Sequence, residues 1–187
     1  MVLRFMFCFI TICFVSCKQY APMKMQRQEY LGKEFKIDGY YFNKTSYYYE
    51  GEKKDTAITT IVFYQNGFFS SSGFRTNELR EVESSLIAQR GPAALLGGSG
   101  YYQVSGDSIS IEFWTNASHF PIPTATVSGR ILNDTTLKSK ILGHHINDIW
   151  HFRRLSPKPD STTIFDEQLE KGVPIKRGKK QKFPGIL

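Results

Sequence analysis

Cysteine is scarce in this sequence and placed where it cannot staple a fold. The chain has 187 residues and 3 Cys, namely Cys8, Cys13 and Cys17, with none beyond position 17. Without disulfides the body must rest on its own apolar core, and a chain of this size buries enough surface to do so. Histidine is also sparse: the 4 His are His119, His144, His145 and His151. His144 and His145 are adjacent, so on a strand they would point to opposite faces and could share a metal only across a bend. The chain contains no HExxH, CxxC or Asp-rich calcium loop, no G-x-S-x-G and no phosphate-binding glycine loop. Gly97-Gly98-Ser99-Gly100 lacks the Lys and the following helix that a P-loop needs, and reads as a hinge before a strand. No metal, no cofactor and no catalytic residue is therefore assigned, and the chain is read as non-enzymatic. Apolar runs are short too. The longest, Phe5–Val15, falls well below the ~20 residues that cross a bilayer.

That run has a different use. Residues 1–17, MVLRFMFCFITICFVSC, place Arg4 before a short apolar stretch, which is the layout of a secretory signal. The stretch ends in Phe14-Val15-Ser16-Cys17, which resembles the lipobox of bacterial lipoproteins. The resemblance implies removal of residues 1–16, acylation of Cys17 and anchorage to a bilayer through several acyl chains, since one alone binds only marginally. It also implies the bacterial cell envelope, with the outer membrane as the expected site.

Charge is uneven. The chain is formally +7 with a pI near 9.3. Residues 171–187 hold Lys171, Lys176, Arg177, Lys179, Lys180 and Lys182 and no acid. Leaving out Arg4, these six cations are the whole excess, so the body is neutral and its charge gives no reason to expect nucleic-acid binding. The tail has Pro, Gly and no period, and is expected to be an irregular basic extension, either merely solvated or a contact for an anionic surface.

Between these ends the sequence is β-rich. Residues 17–32 read as a tether, 33–163 as the folded domain and 164–187 as the extension. Expected strands are Phe35–Phe42, Thr45–Tyr49, Ala57–Tyr64, a short piece at Phe68-Phe69, Gly100–Val104, Ser108–Trp114, Ala125–Leu132, Thr136–Leu142 and Asp148–Leu155. Asn66-Gly67, Gly106-Asp107 and Asn133-Asp134 mark hairpin turns. Ile109, Ile111 and Phe113 alternate with Ser108, Ser110 and Glu112, which puts Glu112 on the solvent side. Thr76–Arg90 carries Leu79, Val82 and Leu86 at helical spacing, with Thr76 as cap and Gly91-Pro92 as stop, between the fourth and fifth strands. The connections are too short for parallel crossovers, so the sheet should be antiparallel. The expectation is an all-β, eight-stranded antiparallel barrel with one short helix.

The motifs GYYQVSGDSISIE (100–112), SGRILNDTTLKSK (128–140), DIWHFRRL (148–155) and PKPDST (157–162) resemble those of small lipoproteins of Bacteroidetes-type bacteria with a lipocalin-like barrel. The Trp of the usual Gly-x-Trp opening is absent from both Gly32-Lys33-Glu34 and Gly39-Tyr40-Tyr41. The resemblance implies a barrel that holds a small apolar or amphiphilic ligand, or one filled by its own side chains. In either case Ile109, Ile111, Phe113, Val127, Ile131, Trp150 and Phe152 line or fill the interior. The 10 Tyr and 15 Phe fit cross-strand packing or an aromatic binding surface. Asp55-Thr56, Asp107-Ser108, Asp134-Thr135 and Asp160-Ser161 are turn dipeptides that also resemble O-glycosylation signals of such bacteria.

Overall fold

The structure, a computed structural model, describes residues 21–49, 52–88, 98–115, 123–139 and 149–158. Eight strands close into a barrel in sequence order: β1 (Gly39–Tyr49), β2 (Glu52–Phe63), β3 (Phe68–Phe74), β4 (Gly100–Ser105), β5 (Ser108–Trp114), β6 (Thr124–Asn133), β7 (Thr136–Ser139) and β8 (Ile149–Arg154). Every neighbouring pair is antiparallel, and β1 closes on β8 through Gly39↔Arg154 and Tyr41↔Phe152. A single helix among the described residues, α1 (Leu79–Ala88), joins β3 to β4.

The expected first two strands are one. Ile37 and Asp38 precede β1, and β1 runs unbroken from Gly39 to Tyr49 with a register shift at Tyr47/Tyr48. Asn43 and Lys44, which lie between the two expected strands, both pair in the ladder, with Thr59 and Ile58. The helix consequently follows the third strand rather than the fourth. The Phe68-Phe69 piece extends through three serines to Phe74, because each pairs with β2.

Among the described residues the barrel has a closed end and an open end, and the connections at the latter, 50–51, 89–97, 116–122 and 140–148, lie outside the described residues. The closed end carries the β2–β3, β4–β5 and β6–β7 turns and the entry into β1. Gly67 sits in the first of these turns with φ at 80°, and a Cβ there would fall 2.1 Å from the Gln28 carbonyl oxygen, so only glycine fits. The segment before β1 crosses this end. Phe35 is buried inside it, edge-on to Phe63 and Tyr102 at ring separations of 5.2 and 6.0 Å, with Tyr30 beside it at 4.9 Å. Tyr41 donates its hydroxyl to the carbonyls of Lys36 and Asp134, both at 3.1 Å, pinning the crossing segment to the β6–β7 turn. Each aromatic pair adds about 0.5–1.5 kcal/mol beyond area burial.

Among the described residues, α1 covers part of the outside of the barrel. Val82 and Leu86 of α1 pack on Tyr40, Ile58 and Val62, and Thr76 caps the helix by accepting from the Glu78 N–H at 3.1 Å. Glu83 accepts from the Tyr40 hydroxyl at 3.2 Å and pairs with Arg153, which ties helix to barrel across β1 and β8. β2 is therefore buried on both faces, which is why AITTIVFY is apolar almost throughout. β6 is covered on one face only and alternates.

The expected tether is the largest departure. Residues 21–30 form a strap laid along the outside of β4 and β5. The Trp114 indole N–H donates to the Ala21 carbonyl at 2.8 Å, and the Gln103 amide to the Gln26 carbonyl at 2.7 Å. The Tyr30 N–H donates to the Gln65 carbonyl at 2.7 Å. Met23 and Met25 pack against the outer apolar cluster. Polar composition suggested a free linker, but its alternate residues face the barrel and its backbone groups find partners there.

Candidate functional site

The interior is the candidate site, and its register sorts it into layers. Near the closed end lie Tyr41, Phe63, Tyr102, Val104, Ile109, Ile131, Leu137 and Phe152, all large or branched. In the middle stand Ile61, Phe69, Ile111 and Trp150. Toward the open end the inward positions become small: Thr59 beside Gly73, Ser71 beside Ile61, Ala125 beside Phe113, and Val127 beside Ile111. Asn43 pairs with Thr59 in the same layer. Burial follows the same gradient. Most closed-end residues are buried, with Val104 and Phe152 half-buried, whereas Asn43, Thr59, Ala125 and Val127 are half-buried, Ser71 is buried and Gly73 is exposed. A Cβ placed on Gly73 would meet nothing within 4 Å. Small inward side chains reach less far into a barrel whose diameter is set by eight strands than the closed-end aromatics do.

One polar atom in this region has no partner. Ser139 is 4% exposed and faces inward on β7, beneath the small-residue layer. Its Oγ makes no hydrogen bond among the described residues. Its carbonyl oxygen accepts from the Trp150 indole at 3.1 Å, which fixes the strand locally and leaves only the hydroxyl unmatched. A buried unmatched hydroxyl costs about 1–3 kcal/mol unless something supplies the bond.

All seven residues expected to line the interior are brought together in one apolar cluster. They do not share a level. Ile109, Ile131 and Phe152 belong to the closed end, Ile111 and Trp150 to the middle, and Phe113 and Val127 to the open layer. Asn43, Thr59, Ser71, Gly73, Ala125 and Ser139 were missed, because the search followed apolar positions. The strand FFSSSGF carries the missing signal: Phe69, Ser71 and Gly73 alternate inward with falling size.

Glu112 is a correction. The alternation placed it in solvent, and it does point outward, but the strap covers it and it is 1% exposed. Its carboxylate accepts from the Lys24 N–H at 3.0 Å and the Met25 N–H at 2.5 Å. It is the clamp that holds the strap. Lys158 has a comparable part at the closed end. Its ammonium donates to the carbonyls of Ile37 and Phe63 and stands 4.7 Å from the Tyr64 ring centroid. Burial pulls it down to about 8 from 10.5, against a smaller upward pull from Asp38. Burial also pushes the Tyr40, Tyr41 and Tyr102 hydroxyls well above their ordinary 10.0.

A separate surface cavity of about 140 Å³ lies between the strap and β4, lined by Gln28, Tyr30, Glu34 and Gln103. It is smaller than the ~300–1,000 Å³ of small-molecule sites. His151 is exposed on β8 beside Phe42. His119, His144, His145, Cys17, the glycosylation-like Asp160-Ser161 and the tail from 159 lie outside the described residues. Among the described residues no three His, Cys, Asp or Glu converge as metal ligands do, and no helix is long and apolar enough to cross a membrane.

Fold and interior together define an antiparallel eight-stranded barrel, sealed at one end and lined by small residues toward the other. Compared with family models, curated proteins and solved structures, the chain matches none.

Proposed function

We propose that this chain is a cell-envelope lipoprotein, held to a membrane through acylated Cys17, whose lipocalin-like barrel binds a small apolar or amphiphilic ligand without transforming it. The observation that carries this reading is the size gradient of the interior, with the unmatched Ser139 hydroxyl below the small-residue layer. Apolar walls suit a hydrocarbon portion, and the Ser139 hydroxyl suits one polar group. Nothing in the reading calls for a cofactor.

The test is to fill the open layer. Gly73→Leu adds a side chain where a Cβ meets open space, so folding is expected to be unaffected. Titration with a fluorescent long-chain fatty acid should show saturable binding to the parent chain and at least tenfold weaker binding to the variant. Equal binding by both would remove the interior as the site.

A second reading has its own support. The aromatic packing of the closed end is that of a filled core, and the basic residues 171–187 offer a contact for an anionic surface. On this reading the chain acts through its outer surface and tail on an anionic envelope component. Deleting 171–187 should then abolish salt-sensitive adsorption to anionic vesicles or polysaccharide.

A further inference from the structure

Sulfur is placed unevenly along the chain. The 4 Met are Met1, Met6, Met23 and Met25, and no Cys lies beyond position 17. From residue 18 to residue 187 the only sulfur atoms are therefore the two thioethers of the strap. Both stand on the face that meets the barrel. Burial alternates along the strap: Ala21, Met23, Met25 and Arg27 are half-buried, whereas Pro22, Lys24 and Gln26 are exposed. Met23 and Met25 pack against the outer apolar cluster, whose members on β4 and β5 are Tyr101 and Trp114. The other attachments of this stretch are polar. The Trp114 indole donates to the Ala21 carbonyl at 2.8 Å, and the Gln103 amide to the Gln26 carbonyl at 2.7 Å. The Lys24 and Met25 N–H groups donate to the Glu112 carboxylate at 3.0 and 2.5 Å. β4 and β5 pair with β3, with β6 and with each other, so the strap can leave them without breaking the barrel.

We propose that Met23 and Met25 are a paired oxidation site, and that their conversion to sulfoxides by a small hydroperoxide lifts the strap off β4 and β5 and uncovers Glu112 and Trp114. A thioether suits the closed state, because it is flexible and packs well against aromatic rings. Half-buried, neither side chain is sealed from a small solute. The sulfur lone pair attacks one peroxide oxygen, and an S–O bond forms as the O–O bond breaks. Sulfur loses two electrons, and the hydroperoxide is reduced to water or an alcohol. The product is polar, and its oxygen is a strong acceptor. At Met25 that oxygen stands beside a carboxylate that is itself only an acceptor. The nearby donors, the Trp114 indole and the Gln103 amide, already serve strap carbonyls. Water satisfies the new oxygen best, and the strap reaches water by lifting. The change is reversible, because methionine sulfoxide reductases return the sulfoxide to the thioether. The latch needs neither the lipid anchor nor a ligand in the barrel.

The experiment treats the purified chain with hydrogen peroxide and maps the added oxygen by peptide mass. One oxygen on each of Met23 and Met25 is expected, under conditions that leave Trp114 unmodified. Brief trypsin treatment should then cut after Lys24 and Arg27 about fivefold faster or more, and a methionine sulfoxide reductase should restore the parent rate. Met23→Leu/Met25→Leu keeps the apolar contacts without the sulfur, so peroxide should leave its cleavage unchanged. Met23→Gln/Met25→Gln sets a polar side chain of similar length at both sites and should be cut at the oxidised rate with no peroxide. Thioethers that resist peroxide in the folded chain would overturn the site. A doubly oxidised chain, or the glutamine variant, cut at the parent rate would overturn the lifting. So would a leucine variant that opens as readily under peroxide as the parent.

Discussion

The clamp on Glu112 offers the most exacting test of the strap, because a single side chain holds two backbone N–H groups of a segment with few other anchors. Glu112→Ala removes two hydrogen bonds to an ionised acceptor, each worth about 1.5–3 kcal/mol. Against that loss stands the cost of keeping a carboxylate 1% exposed beneath Met23 and Met25, which the variant no longer bears. The expected net is about 3 kcal/mol at most, because the strap can peel away and give its N–H groups to water. For a chain of this size that is a fall of roughly 6–12 °C in Tm. Peeling would also free the backbone at Lys24 and Arg27 for trypsin. Cleavage there should quicken by an order of magnitude or more in Glu112→Ala and stay unchanged in Glu81→Ala, a control on the exposed face of α1. Unchanged cleavage in Glu112→Ala would mean that the strap is not held by this carboxylate.

Three further outcomes follow from the same geometry. Lys158 titrates at about 8 in the folded chain and near 10.5 when unfolded, so the unfolded state binds more protons between these values and stability should rise with pH across them. The buried tyrosines, raised above 10.0, should reverse that rise above pH 10. Urea midpoints from pH 7 to 11 check both, and Lys158→Met should flatten the first part of the curve. Phe35→Ala removes the ring that stacks on Tyr30, Phe63 and Tyr102, and should cost about 3–5 kcal/mol in urea unfolding. Cys17→Ala should move the protein from the membrane fraction to the soluble fraction, and persistence in the membrane fraction would contradict the lipid anchor.

Much of the barrel was legible because its strands follow elementary rules. Ser108–Trp114 alternates cleanly, its turn has glycine where φ must be positive, and the observed strand has the expected bounds. α1 was visible from Leu79, Val82 and Leu86, although it begins at Leu79 rather than directly after Thr76. The failures have physical reasons. Residues 21–30 are held by backbone groups and by side chains distant in sequence, and neither leaves a local pattern. Glu112 looked exposed because alternation gives the face of a strand, not what lies over it. The site was half visible: apolar inward positions can be read from period two, whereas the layer of small inward residues comes from strands far apart in sequence. Only the register that sets Gly73 beside Thr59 and Ala125 beside Phe113 brings them to one level.

Native mass spectrometry of residues 18–187, purified gently and compared with the denatured chain, tests the central claim most directly. A discrete excess mass that disappears on denaturation, and is absent from Gly73→Leu, is the result expected of a barrel with a ligand in its open half. A native mass equal to that of the bare chain, with no uptake of added fatty acid, would contradict the claim and leave a packed barrel that acts through its surface.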